Sequence, residues 1–337
     1  MTAMPRTDHR TGSRTTLRTA VLPRRGAPVR AARGTATVAI PAPVAVPGPR
    51  GPDTAPAADD RAGAWLPSAP CTPRSCVEAT GSARAIPRAL LRLVSVLVLL
   101  VGGIALLPAV RRLATARRER LIRTWCRTVV SAAGVRVRIT GEAPRDGGLL
   151  MVANHVSWLD VPLLAAVRPG RMLAKTEIRR WPVAGALTAA SGALFIDRDR
   201  LRALPATVAR IADGLRGGSA VVVFPEGSTW CGRAQGHFRR AAFQAALDAG
   251  VPVLPVRLLY RQDGPDGTRA STVPAFVGSD SLLTSVWRVV SSHRLVAEVR
   301  LTPLLGPDPA TDRRALAHDA QRALRLPPGE HTGGRTP

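Results

Sequence analysis

The chain has 337 residues, enough for one large domain or for one domain with appendages. Its 45% apolar content suits a globular core, while 4% aromatic content argues against nucleic-acid binding by base stacking. The formal net charge of +25 favours an anionic partner such as lipid headgroups, coenzyme A phosphates or nucleic acid.

Much of that charge reflects coding preference, because Lys175 is the single lysine among 48 basic residues. Residues 1–84 are built from Pro, Ala, Gly, Thr and Arg, with 12 arginines against five acidic residues and Trp65 as their one aromatic. Such a segment cannot bury a core and reads as a disordered basic arm. Leu93–Val110 follows with no charge across 18 positions, at the short end of the ~20 apolar residues that span a bilayer. Gly102, Gly103 and Pro108 would make it a poor core helix, so residues 85–112 read as a membrane-anchoring helix. Arg111, Arg112, Arg117, Arg118, Arg120 and Arg123 come next, and they would hold the following domain on the cytoplasmic face of the cell membrane. Arg84, Arg88 and Arg92 weaken that asymmetry, and a helix lying in the surface is the alternative.

From residue 113 the pattern becomes mixed α/β. Val135–Thr140 alternates like a half-exposed strand. Short apolar runs follow at Leu149–Ala153, Met172–Ala174, Ala193–Ile196, Ala220–Phe224, Val251–Leu259 and Leu295–Leu301. Helical stretches fall at Val161–Val167, Ile178–Ala190, Leu201–Leu215, Arg239–Ala249 and Arg313–Leu324. Strands alternating with helices imply a mostly parallel sheet flanked by helices. Cys71, Cys76, Cys126 and Cys231 form no C-x-x-C pair and fit no zinc module, so they read as incidental thiols and no metal is implied.

Four features fall at strand ends, where α/β proteins build their sites. In Asn154-His155-Val156-Ser157-Trp158-Leu159-Asp160, the histidine leaves a strand and the aspartate enters a helix. A carboxylate on one imidazole nitrogen fixes the tautomer and leaves the other able to take a proton near neutral pH. Alone, that spacing also fits a structural histidine. In Gly192–Arg198, Arg198 offers a planar fork for a phosphate, or is one more surface arginine. In Val223–Thr229, Gly227 can adopt φ > 0 and bring backbone N–H groups to an anion, and Glu226 can accept from a polyol hydroxyl or orient Arg198. Val251–Val256 carries two prolines, which points to an edge or kinked strand lining a cleft.

In order and spacing, these four blocks resemble the glycerolipid acyltransferase family that includes 1-acyl-glycerol-3-phosphate acyltransferase. That family shows N-H-x-x-x-x-D, G-x-x-F-I-x-R, F-P-E-G-[ST] and V-P-[IV]-x-P-V, all present across Asn154–Val256. The resemblance spans roughly residues 115–305, and the acyltransferase domain is expected over residues 113–325 with 326–337 as a flexible tail. It implies His155 as general base and Asp160 as its orienting partner. It further implies acceptor binding by Asn154, Lys175, Arg198, Glu226, Gly227, Ser228 and Thr229. The third block departs from the family pattern: Thr229 stands where an arginine is familiar, and Gly232-Arg233 follows. Arg198, Arg233 or Arg239 would then meet a phosphate, or the acceptor is another lysolipid such as lyso-ornithine lipid.

The expected reaction moves a fatty acyl group from acyl-coenzyme A or acyl carrier protein to the sn-2 hydroxyl of 1-acyl-glycerol-3-phosphate, with no cofactor beyond that co-substrate. Backbone N–H groups after Asn154 would hold the oxyanion. Membrane lipid is the other expected partner, and nucleic acid is not one. Two rivals exist: a two-aspartate phosphatase built on Asp197-Arg198-Asp199, and a basic membrane- or nucleic-acid-binding protein without catalysis. The phosphatase lacks a D-x-x-x-D block after a later strand, and scattered arginines with few aromatics disfavour the binder.

Overall fold

A computed structural model of the chain describes residues 69–80, 85–180, 191–196, 201–265, 267–306 and 311–325, with Gly185 and Thr188. The apolar runs assemble into one eight-stranded sheet of order β1-β8-β6-β2-β5-β3-β4, with β7 paired to β6. The strands are β1 (Val135–Thr140), β2 (Leu149–Ala153), β3 (Arg171–Lys175), β4 (Leu194–Ile196), β5 (Ala220–Val223), β6 (Val253–Gly264), β7 (Gly267–Ala270) and β8 (Leu295–Leu301). Neighbours are parallel except where β6 meets β8 and β7. The mostly parallel sheet flanked by helices is therefore as expected.

The helices are α1 (Pro73–Cys76), α2 (Ile86–Arg111), α3 (Thr115–Ala132), α4 (Asp160–Val167), α5 (Leu204–Arg216), α6 (Ala241–Ala249), α7 (Leu282–Ser291) and α8 (Arg313–Ala323). They cover both faces of the sheet, which is why β2 is apolar at every position. The two-residue period of the strand sorts its side chains. Leu149, Met151 and Ala153 join Val130 of α3, Leu163 of α4 and Val289 of α7 in one core. Leu150 and Val152 join Ile211 of α5, Phe243 of α6 and Leu316 of α8 in the other.

Strand β6 corrects one expectation. It lies inside the sheet between β2 and β8, not at an edge. Pro252 precedes it, and Pro255 pairs with Val152 in register. Val253 bonds Leu305 in both directions, and Val256 pairs with Leu301. Pro255 sits between those two rungs, where the chain after β8 has bulged away. Its carbonyl serves Thr302, from the backbone N–H at 3.1 Å and the hydroxyl at 3.0 Å, and no ladder donor is missed.

The expected helix over Ile178–Ala190 begins instead as a 3₁₀ turn, Thr176–Arg180, and most of 181–190 lies outside the described residues. Residues 69–80 also differ from the disordered arm assigned to 1–84. They fold against the domain through the Glu78 N–H on Thr272 Oγ1 (3.1 Å) and the Thr80 hydroxyl on Arg288 O (3.2 Å). Their Pro- and Thr-containing composition conceals this because the anchoring groups belong to residues about 200 positions away in sequence. Residues 1–68 and 326–337 lie outside the described residues.

Helix α2 buries Ala89 and Val96 and leaves Leu90, Leu91, Val94, Leu97, Val98, Val101 and Leu106 exposed. Its inner side is tied down. Arg92 donates to Val290 O (2.9 Å) and Ser292 O (2.8 Å), and Trp125 Nε1 of α3 donates to Leu99 O (3.1 Å). The Trp125 ring lies so close to Gly103 that a Cβ there would stand 2.7 Å from it, so this glycine is needed for the helices to meet.

Candidate active site

Strand β2 ends at Ala153 and the next residue extends the pairing by its side chain. The Asn154 amide accepts from Leu258 N–H (2.8 Å) and donates to Leu258 O (2.9 Å), one more rung between β2 and β6. Both ends of the Asn154 amide, expected to meet substrate, are engaged with the backbone of Leu258. His155 leaves the strand from this fixed point.

Five residues after His155, Asp160 opens α4 and is fully buried. Its Oδ2 lies 2.8 Å from His155 Nδ1 and accepts the backbone N–H groups of Val156 (2.7 Å) and Ser157 (2.9 Å). Its Oδ1 accepts the hydroxyl of Tyr260 at 2.5 Å. Four donors thus surround one carboxylate, which is how a buried charge is made tolerable. Burial and the neighbouring Asp160 charge push the Tyr260 phenol well above its usual range, so it remains a donor. Tyr260 escaped the sequence reading, yet it is the chain's single tyrosine and lies on the strand after the two-proline block. That placement was the available signal.

The imidazole is packed as well as bonded. Its ring stacks on Phe224, with centroids 3.9 Å apart and planes 14° apart. An aromatic face in that position favours a ring that acquires positive charge. The His155 side chain is 23% exposed, so it can be reached from outside while its carboxylate cannot.

The turn after β5 supports the same residue from behind. Glu226 is 3% exposed, and its two oxygens accept His155 N–H (3.0 Å) and Gly236 N–H (3.2 Å). Trp230 N–H donates to His155 O at 2.8 Å, so the histidine backbone is held on both sides. Burial, reinforced by the Asp160 charge, pushes the Glu226 carboxyl up to about 8 against the two backbone donors. Glu226, expected to accept from a polyol hydroxyl or to orient Arg198, has both oxygens on backbone N–H groups. Gly227 has φ 78°, as the turn requires, and its N–H bonds Phe224 O at 3.1 Å.

The amides expected to serve as oxyanion donors are engaged inside the protein: His155 N–H donates to Glu226, and Val156 and Ser157 N–H donate to Asp160. Ser228 and Thr229 follow Gly227 on the half-buried rim of the same turn. Lys175 ends β3 exposed, paired in register with Ile196 at the end of β4. Arg198, beyond it, lies outside the described residues. Arg239 donates its N–H to Pro225 O at 2.8 Å, which puts an exposed arginine beside the Glu226 turn. Arg233 is 3.7 Å from Glu78.

The acyltransferase family model matches residues 134–259. The chain is 40% identical over 216 residues to the lyso-ornithine lipid O-acyltransferase of Pseudomonas aeruginosa, covering 63% of this chain and 80% of that one. It is 34% identical over 209 residues to the 1-acyl-sn-glycerol-3-phosphate acyltransferase of Neisseria meningitidis, covering 62% and 80%. Its fold matches the crystal structure of the 1-acyl-sn-glycerophosphate acyltransferase of Thermotoga maritima with a TM-score of 0.53, at 19% identity over 72% of this chain and 93% of that one. The chain belongs to the acyltransferase family that includes these lysolipid O-acyltransferases.

Proposed function

We propose that the chain transfers a fatty acyl group from acyl-coenzyme A or acyl carrier protein to a free hydroxyl of a lysolipid, with the sn-2 hydroxyl of 1-acyl-glycerol-3-phosphate as acceptor. The observation that carries this is the buried Asp160 bonded to Nδ1 of a partly exposed His155, which leaves Nε2 for an incoming hydroxyl. His155 takes the hydroxyl proton as the oxygen attacks the thioester carbonyl. Asp160 and the Phe224 ring stabilise the imidazolium, which then protonates the departing thiolate. The acceptor oxygen gains the acyl group and the thiol leaves with the proton, so no covalent enzyme intermediate is required. Asn154, Glu226 and Tyr260 act as positioning residues. Lys175, Arg198, Gly227, Ser228, Thr229 and Arg239 are assigned to the acceptor and its anionic headgroup. The apolar face of α2 brings the site to the membrane, with the domain on the cytoplasmic side.

A second acceptor is favoured by a specific observation. Thr229 replaces the familiar phosphate-binding arginine, and the relative at 40% identity is named for lyso-ornithine lipid. Labelled oleoyl-coenzyme A supplied with lysophosphatidate or lyso-ornithine lipid in separate reactions tests both readings. Product with lysophosphatidate, lost in His155→Ala and Asp160→Asn, is expected. Product with lyso-ornithine lipid alone would keep the mechanism and move the acceptor. Equal turnover by wild type and His155→Ala would remove the proposed base.

A further inference from the structure

The incidental thiols of the sequence are not scattered in space. Cys71, Cys76 and Cys231 bring their three sulfurs within 4.8 Å of one another, two of them buried and Cys76 half-buried. The fourth cysteine, Cys126, is buried separately on α3. We propose that Cys71, Cys76 and Cys231 form a binding site for a thiophilic metal ion of the zinc class, fastening residues 69–80 to the active-site loop.

Three features of the molecule carry this. The first is number and spacing. Sulfurs sharing one tetrahedral zinc at about 2.3 Å lie roughly 3.8 Å apart, a small contraction of the observed cluster. A disulfide would use two of the thiols and strand the third, whereas one ion engages all three. The domain is assigned to a reducing compartment, where clustered cysteines serve metals more often than disulfides.

The second feature is the surroundings. Thr72 precedes α1, its hydroxyl lies 2.7 Å from that of Ser75, and the Ser75 hydroxyl lies 3.5 Å from Cys76 Sγ. Hydroxyls bonded to a ligating sulfur orient it and balance its charge. The half-exposed Cys76 gives the ion a way in. Three thiols that become ligands release three protons, leaving one negative charge on the assembly and a fourth position for water.

The third feature is what the site would join. Residues 69–80 contain one four-residue helix and are held by polar contacts of Glu78 and Thr80 and by packing of Ala69, Cys71 and Val77 on the core. Cys231 directly follows Trp230, whose N–H supports His155. An ion here would lock the segment to the loop one residue from that contact.

The test uses the full chain purified in mild detergent with reductant and without chelator. Zinc content is measured by mass spectrometry. The metal-stripped protein is then titrated with Cd²⁺ and followed by thiolate charge-transfer absorption. One ion per chain is expected, lost in Cys71→Ser, Cys76→Ser and Cys231→Ser and retained in Cys126→Ser. Zn²⁺ should also raise the unfolding temperature of wild type and leave Cys76→Ser unmoved; that variant alters a half-exposed position and is expected to fold. Absence of Cd²⁺ binding by wild type with free thiols would overturn the proposal. So would binding unchanged in Cys76→Ser, or a mass two hydrogens light that traps a disulfide within the trio. All these readouts are independent of acyl transfer.

Discussion

At the scale of single residues, the site depends on how a buried carboxylate is held. Tyr260→Phe removes the Tyr260 hydroxyl from Asp160 Oδ1 and leaves that oxygen buried beside a ring edge. A hydrogen bond to a charged group contributes about 1.5–3 kcal/mol, so stability should fall by that order. If Tyr260 acts as the proposed positioning residue through Asp160, kcat should fall about tenfold, corresponding to roughly 1.4 kcal/mol, with KM for the acceptor unchanged. An unaltered kcat would remove Tyr260 from the positioning set. Glu226 gives a pH signature. Its carboxyl is raised from 4.5 to about 8, so across that window the unfolded chain binds fewer protons than the folded one and stability declines as pH rises. The contribution is fully present below about 4.5 and gone above about 8. Glu226→Gln cannot ionise, and its amide nitrogen gives up one of the two accepted backbone N–H groups at every pH. The melting temperature of the variant minus that of wild type should therefore grow between pH 5 and pH 8 and level off beyond it, the other titrations cancelling in the difference. A difference independent of pH would contradict the raised carboxyl.

At the scale of elements, the proposed base His155 is positioned by the end of a strand. Asn154 continues the β2–β6 pairing after β2 has stopped, and His155 is the next residue. Asn154→Ala leaves the Leu258 N–H and carbonyl without their partner, at about 1–3 kcal/mol. The melting temperature should drop by several degrees and kcat should fall with it, as the strand end frays and His155 loses its fixed origin. Loss of stability with kcat intact would show that Glu226 and Trp230 alone fix the histidine. Elements of this kind were partly legible in the sequence. Strands β1, β2 and β8 were read to the residue, because each is a short apolar or alternating run between Gly-, Pro- or Arg-rich turns. The partnership of His155 and Asp160 was legible too, since five positions across a strand-to-helix junction bring two side chains together. What stayed hidden were contacts between groups distant in sequence: Tyr260 on Asp160, Glu226 beneath His155, and Asn154 on Leu258. The site of Pro255 inside the sheet was hidden for a related reason, as the opening that tolerates it is made by Thr302–Leu305 and not by its own strand.

At the scale of the whole molecule, the remaining question is how a domain with a polar site meets an apolar substrate. Helix α2 is long and apolar enough to cross a membrane, and only 6% of its most apolar stretch is buried in the protein. It is not solitary, however. The Gly103–Trp125 contact packs α3 along it, and the α3 turns nearest the end of α2 carry Arg117, Arg118, Arg120 and Arg123. A fully spanning α2 would draw those arginines toward hydrocarbon at about 2.5–3.5 kcal/mol each near the bilayer centre. A pair lying in the interface avoids this: the exposed row of Leu90, Leu97 and Val101 enters the acyl chains while the arginines meet anionic headgroups. The double variant Leu97→Glu with Val101→Glu alters only that row and leaves Ala89, Val96 and Arg92 in their contacts. Its partitioning onto vesicles of phosphatidylglycerol and phosphatidylethanolamine should fall at least tenfold in flotation, while turnover of a short-chain acceptor dispersed in detergent is kept. High salt should weaken the wild-type association as it screens the arginines, which it would not do for a helix buried across the bilayer. Wild-type protein that stays with vesicles in high salt and alkaline carbonate, and a double variant that still floats, would argue for a spanning helix instead.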